Sequence, residues 1–418
     1  MEQSATWTAG RVGKSGILIK NTPAAKTWYV TCGLLALVVA IGALHGLDLL
    51  SAGLVIDIVP AVFAVVAVWS LKVARDRWGS LFNPWGLFLI AAILFNGGQI
   101  LLRAVGTIVE RQYAPLFSDE IYAQTLVLVS ISILAFLIGG LCAGRVRTRH
   151  DVAEPGRGGE RDTILLWIVG WSMVAVSVWP AAAGLVEGIR TVMAEGYFSL
   201  YSGPVETGVD ALESKLAALL APGLMFLLAG SQGRRRWGRL VSLVIIIALC
   251  VGLFFQGYRG AAVMPIMGYA WLWHRTVKPL PSALLGSGAL VLLFVVFPLV
   301  KETRNLQGSE RLSVESLVES YFSIENPAIA IVDEMGRSMN TVSYTLKLVP
   351  EVRDFDLGSS YVLSMLTIVP NFGNGLHPAV SGVQYGKWLT QQVNPWLASR
   401  GGGWGSHLLP KHILTLGG

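Results

Sequence analysis

The chain has 418 residues, 53% of them hydrophobic and only 14% charged. A soluble globular protein carries about 25% charged residues, so a soluble enzyme is excluded at once. Cys32, Cys142 and Cys250 all lie in apolar runs, which excludes a disulfide scaffold and a CxxC metal site. The formal net charge of +6 belongs to the loops of a membrane protein and carries no nucleic-acid reading.

A bilayer core about 30 Å thick needs roughly 20 apolar residues in a helix that rises about 1.5 Å per residue. Runs free of Asp, Glu, Lys and Arg are Trp28–Leu47, Trp78–Leu102, Ile121–Gly144, Thr163–Val186, Leu216–Gly233, Leu240–Tyr258, Gly260–His274 and Pro279–Val300. Leu49–Leu71 joins them if Asp57 is tolerated, which predicts about nine spans between residues 28 and 300. Arg11, Lys14, Lys20 and Lys26 precede the first run without a small-residue cleavage site, as in an uncleaved anchor. Asp57 and the Asn96-Gly97-Gly98-Gln99 stretch are polar groups inside spans, expected to face the bundle interior where partners satisfy them.

Orientation follows from loop charge. With residues 1–27 in the cytoplasm, the inner loops hold Lys72, Arg75 and Arg77, then Arg145, Arg147, Arg149, Arg157 and Arg161, then Arg234, Arg235, Arg236 and Arg239, then Arg275 and Lys278. Every short inner loop is basic. Nine spans from an inner start leave residues 301–418 on the outer face. In that segment Ser309–Ser323 reads as an amphipathic helix and Ser359–Pro370 as a re-entrant or interfacial stretch.

The hairpin from Leu240 to His274 has only 35 residues between Arg239 and Arg275, or about 26 Å of helix per crossing. Its tip, Gln256-Gly257-Tyr258-Arg259-Gly260, therefore lies at the outer interface. Arg259 is there either as a cation reaching lipid headgroups or as a fork for a lipid-linked phosphate. Lys301, Arg304 and Arg311, interleaved with Glu302 and Glu310, read as a solvated charge run or as a second pyrophosphate contact. Asp333-Glu334, after the apolar run Ala328–Val332, supplies helix-end acids or a general base for a sugar hydroxyl. Asp354-Phe355-Asp356 has DxD spacing, which is common by chance, and no metal site is assigned to it. His377, in a Gly/Asn-rich turn, is a further candidate base. Tyr361 and Trp388 are among the outer aromatics that suit an interfacial belt or a sugar-stacking platform.

Several of these residues resemble a known family. Glu334-Met335-Gly336, Thr345-Leu346-Lys347-Leu348-Val349-Pro350, Leu357-Gly358-Ser359-Ser360-Tyr361 and Ile368-Val369-Pro370 resemble the periplasmic segment of Wzy-type O-antigen polymerases. Tyr258-Arg259-Gly260 and Asn96-Gly97-Gly98-Gln99 are similar to the same family. The resemblance implies an all-α polytopic bundle of the GT-C type, without metal or cofactor, in the bacterial inner membrane. It implies polymerisation of undecaprenyl-pyrophosphate-linked oligosaccharide repeats on the periplasmic face, moving the growing chain onto the next unit. Expected partners are that lipid-linked substrate, membrane lipid, a chain-length regulator and a flippase. Glu334, Asp333 and His377 are then candidates for catalysis. Arg259, Tyr258, Arg304, Arg311, Tyr361 and Trp388 are candidates for binding pyrophosphate and sugar. An O-antigen ligase or a polysaccharide transporter is the alternative.

After Gly401–Gly405 the family pattern leads to expect E-A-Y-x-N-F-G and further spans. The chain instead reads Ser406-His407-Leu408-Leu409-Pro410. Reading from the third base of permitted codons allows P-S-I-A-E-A-Y-L-N-F-G, so a frameshift near Ser406 and a non-native tail are expected. The orientation is testable with reporters. Alkaline phosphatase joined after Val300 is expected to be active and after Gly233 inactive, and the reverse pattern would invert the bundle.

Overall fold

A computed structural model describes residues 25–107, 117–143, 160–201, 209–231, 236–303, 313–322, 326–366 and 385–399. Among the described residues every regular element is helical. The first helices are α1 (Ala25–Gly46), α2 (Ala52–Trp78), α3 (Pro84–Ala104), α4 (Asp119–Ala143) and α5 (Glu160–Glu195). They continue with α6 (Val209–Ala218), α7 (Leu220–Gly230), α8 (Arg236–Gln256), α9 (Arg259–Thr276), α10 (Ser282–Val291) and α11 (Phe297–Thr303). A π-helical turn, Leu292–Val296, joins the last two. Among the described residues eight helices are long and apolar enough to cross a membrane, including Leu212–Gly230 and Ser282–Val300. The remaining expected span is α9, an 18-residue helix that carries Arg259, His274 and Arg275 and is correspondingly less apolar.

Local sequence sets several boundaries. Asn83 and Asn326 each precede a proline, and their side chains accept from the first-turn amides Gly86 N at 2.9 Å and Ala328 N at 3.1 Å. A capping Asn followed by Pro at the first helical position is pre-organised for helix entry. The α8–α9 hairpin turns within two residues, as the length argument requires, and Gly257 takes φ +95° there, a conformation glycine adopts without penalty.

Two hydrophobic clusters form the bundle. Val59, Phe63, Leu89, Ile100, Leu126 and Leu134 pack α2, α3 and α4 around one centre that also takes in Val38 of α1. Val174, Leu224, Ile246, Cys250 and Tyr269 pack α5, α7, α8 and α9 around the other. Burial of this kind holds helices together through packing rather than through a hydrophobic force, since lipid is as apolar as leucine.

Short helices follow: α12 (Val314–Phe322), α13 (Pro327–Gly336), α14 (Met339–Leu348), α15 (Ser359–Leu366), α16 (Tyr385–Val393) and α17 (Pro395–Ser399). α12 is the core of the expected amphipathic helix, and α15 is the described part of the expected interfacial stretch. α13 crosses α3 with backbone against backbone. A methyl carbon on Gly98 would lie 2.6 Å from the Val332 carbonyl oxygen, and one on Gly336 would lie 2.5 Å from the Gln99 nitrogen. α14 lies over α4, where Thr125 and Ser343 share a hydrogen bond of 2.9 Å.

One expectation is corrected. Asp57 does not face the interior. Its carboxylate is 72% exposed and lies 3.3 Å from Arg103, in the second turn of α2. Asn96 and Gln99 are buried as expected.

The α3–α13 crossing is testable. Gly98→Ala and Gly336→Ala are each expected to cost about 1–3 kcal/mol, read as a lower melting temperature in detergent. Gly286→Ala, which meets nothing within 4 Å, should not lower it. Equal melting of all three variants would remove the crossing as a close contact.

Candidate functional site

The crossing brings α13 to the end of the bundle where α8 turns into α9. Arg259, the first residue of α9, donates from Nη2 to Glu334 Oε1 of α13. Both side chains are largely covered, at 18% and 19% exposure. The Arg259 guanidinium also lies over the Phe297 ring of α11, 5.9 Å from its centroid, a cation–π distance. The π turn before Phe297 exposes a main-chain carbonyl, and Tyr321 of α12 donates to the Phe294 oxygen at 3.2 Å. Residues from α9, α11 and α13 therefore meet at one charged pair.

Asp333, one residue before Glu334, has a different environment. Gln99 Nε2 of α3 donates to its Oδ1 at 2.9 Å. Arg337 donates from Nε and Nη2 to its Oδ2 at 3.3 and 3.0 Å. Asp333 is buried and Gln99 is 3% exposed, whereas Arg337 is 44% exposed. Asp333 is thus tied on both oxygens, and Arg337 presents a second guanidinium one turn beyond Glu334. Residues three apart on a helix share a face.

Two guanidiniums and a carboxylate at a covered helix junction suit an anionic, sugar-linked substrate. A planar guanidinium fork matches phosphate oxygens, and a carboxylate within reach of a hydroxyl can take its proton. A family model, O-antigen polysaccharide polymerase Wzy, matches residues 37–409. The chain belongs to that family. No curated protein and no solved structure matches it. The function of this Wzy-family chain is polymerisation of O-antigen repeat units, in preference to ligation or transport.

In this family member, three stretches that carry the resemblance in the sequence meet at one place. They are Asn96–Gln99 on α3, Arg259 at the α8–α9 turn and Glu334–Gly336 on α13. Tyr258 lies beside them in the turn, its ring 6.3 Å from that of Tyr197. Arg304, Arg311 and His377 fall outside the described residues.

Trp388 belongs to a second cluster, on α16. It packs with Tyr385 against Val349, and the Arg353 guanidinium lies 4.3 Å from the Tyr385 ring centroid and 5.1 Å from that of Trp388. The ring expected to stack on a sugar is therefore in contact with an arginine. Tyr361 is half-buried on α15, the helix that Asp356 caps. Ser359 donates its hydroxyl to Asp356, and Ser360 N donates at 2.9 Å. Asp356 is committed to that cap. Among the described residues no group of three or more His, Cys, Asp or Glu side chains is placed to hold a metal ion.

Sequence reasoning missed two residues. Arg337 was legible as the i+4 partner of Asp333. Gln99 was noticed only as a polar group in a span, because its partner is 234 positions away.

Burial pushes the Asp356 carboxyl up, but the bonds from Ser359 and Ser360, with the Tyr385 hydroxyl nearby, outweigh it and hold it at about 2. The unfolded value is about 3.9, so the folded value is depressed. Its contribution is full above about pH 4 and fades as pH falls toward about 2. Asp356→Asn is expected to speed amide exchange across Ser359–Leu366 at neutral pH, with the difference vanishing near the acid end of that window. Equal exchange at neutral pH would show that the cap contributes nothing.

Proposed function

We propose that this chain is a glycosyltransferase of the inner membrane, N-terminus in the cytoplasm, that elongates undecaprenyl-pyrophosphate-linked repeats on the periplasmic face. The single observation that carries the reading is the Arg259–Glu334 pair, set where α8 turns into α9 and covered by α11 and α13. The basic loop charges support an outward-facing position for that end, where the lipid-linked units are joined.

The reaction moves the growing saccharide from its carrier to the next unit. The acceptor hydroxyl oxygen attacks the anomeric carbon of the growing chain, forming the new glycosidic bond. The bond from that carbon to the pyrophosphate oxygen breaks, and the lipid pyrophosphate leaves with the electron pair. Arg259 meets the charge that develops on the leaving oxygen, the kind of fixed electrostatic stabilisation that serves such steps. Arg337, exposed one turn along α13, reaches the second phosphate. Glu334 takes the proton of the acceptor hydroxyl.

Arg259 and Glu334 neutralise each other before substrate arrives. Pyrophosphate competes for the Arg259 fork and releases the carboxylate, so donor binding prepares the base. The bonds of Asp333 to Gln99 and Arg337, one group on each oxygen, favour Glu334 over Asp333 for that role. The finer partners, a chain-length regulator and a flippase, belong to the same proposal.

The test uses a strain deleted for its own polymerase and expressing variants of the full chain. Arg259→Ala is expected to leave lipopolysaccharide core with one repeat and no ladder. Arg259→Lys keeps the charge without the fork and should give shortened ladders. Glu334→Gln should lower elongation about 100-fold or more, the scale of a lost general base. A normal ladder in Glu334→Gln, with the protein present in the membrane, would remove Glu334 from the chemistry.

A further inference from the structure

Glu334 is useful only if it faces α9, and a helix can turn about its own axis. At about 6 Å from that axis, a rotation of roughly 20° moves a carboxylate by about 2 Å, enough to lose its partner. The Gly98–Gly336 contact sets how closely α13 approaches α3. Two glycines without side chains do little to set its rotation. Asp333 does, because successive helical residues project about 100° apart. Its Oδ1 is held by Gln99 Nε2 at 2.9 Å, and the same amide lies 3.5 Å from the Asp333 main-chain oxygen.

We propose that Gln99 is a positioning residue for the polymerase reaction: by holding Asp333 it fixes the rotation of α13 and so aims Glu334 at Arg259. Gln99 touches no substrate. It is buried on α3 within the first helix cluster, whereas Arg259 belongs to the second. Gln99 thereby links the placement of the base to the rigid α2–α3–α4 core. The inference rests on the assignment of Glu334 as base.

The test again reads the lipopolysaccharide ladder from full-length variants in the deleted strain, with membrane protein level measured in parallel. Gln99→Glu is nearly isosteric but sets a carboxylate against the Asp333 carboxylate. It is expected to accumulate normally and to shorten the mean chain about tenfold near pH 7.5 in the medium. Protonation at about pH 5.5 restores a donor and should return part of the ladder, a change that wild type does not show. Asp333→Asn alone keeps an acceptor for Gln99 and should elongate almost normally. The exchanged pair, Gln99→Glu with Asp333→Asn, reverses donor and acceptor and should recover elongation at both pH values.

A normal ladder in Gln99→Glu, or a loss that neither acid nor the exchanged pair relieves, overturns the proposal. If Gln99→Glu fails to accumulate, Gln99→Met removes the donor without adding charge, and a normal ladder there overturns it equally. Glu334→Gln measured beside these variants separates the two claims. A ladder unchanged in Glu334→Gln sinks the base assignment, whatever Gln99 shows.

Discussion

A charged pair at the edge of a bilayer ties the two halves of this bundle together. The α2–α4 core and the α5–α9 core each pack mainly within themselves, as their separate clusters show. α13 rests on α3 of the first, and its Glu334 reaches Arg259 of the second. A cation near a membrane interior is costly when isolated. Pairing with Glu334 and contact with Phe297 offset that cost while leaving the guanidinium exchangeable. The same pair can hold the halves in register and yield to a stronger anion.

The surroundings of the pair follow from that requirement. A short helix such as α13 keeps its place through its contacts with α3. Gly98 against Gly336 fixes distance, because a backbone-to-backbone approach permits no methyl group. Gln99 and Arg337 satisfy a buried Asp333 carboxylate that would otherwise be expensive. The entry of α13 is defined by Asn326 and Pro327, which set where Asp333 and Glu334 fall in the second turn. Two adjacent acids thus come to have different partners, Asp333 tied to Gln99 and Arg337 and Glu334 to Arg259.

The second polar cluster shows how composition can mislead at a surface. Tyr385 and Trp388 are the aromatic types that sugars stack on, yet Arg353 lies over both rings. Asp354-Phe355-Asp356 has the spacing of a metal motif, yet Asp356 caps α15. In each case a nearby residue of complementary chemistry claims the group. Spacing along the chain does not reveal which neighbour wins.

The sequence by itself determined the bundle and its charged ends in physical terms that need no partner: apolar runs of span length, basic stretches between alternate runs, and a hairpin too short for anything but a tight turn within Gln256–Gly260. Bilayer thickness and helix rise are local constraints, so they can be read from local runs. The family resemblance likewise rested on short stretches that stay recognisable one at a time. Only the tertiary structure decided that Asn96–Gln99, Arg259 and Glu334–Gly336 meet, that Asp57 turns outward to Arg103, and that Asp333 is tied while Glu334 faces a cation. Those outcomes depend on which helix lies against which, and on contacts between residues as far apart as Gln99 and Asp333. Hydropathy carries no such information, because every face of a membrane helix is apolar enough to meet either lipid or another helix.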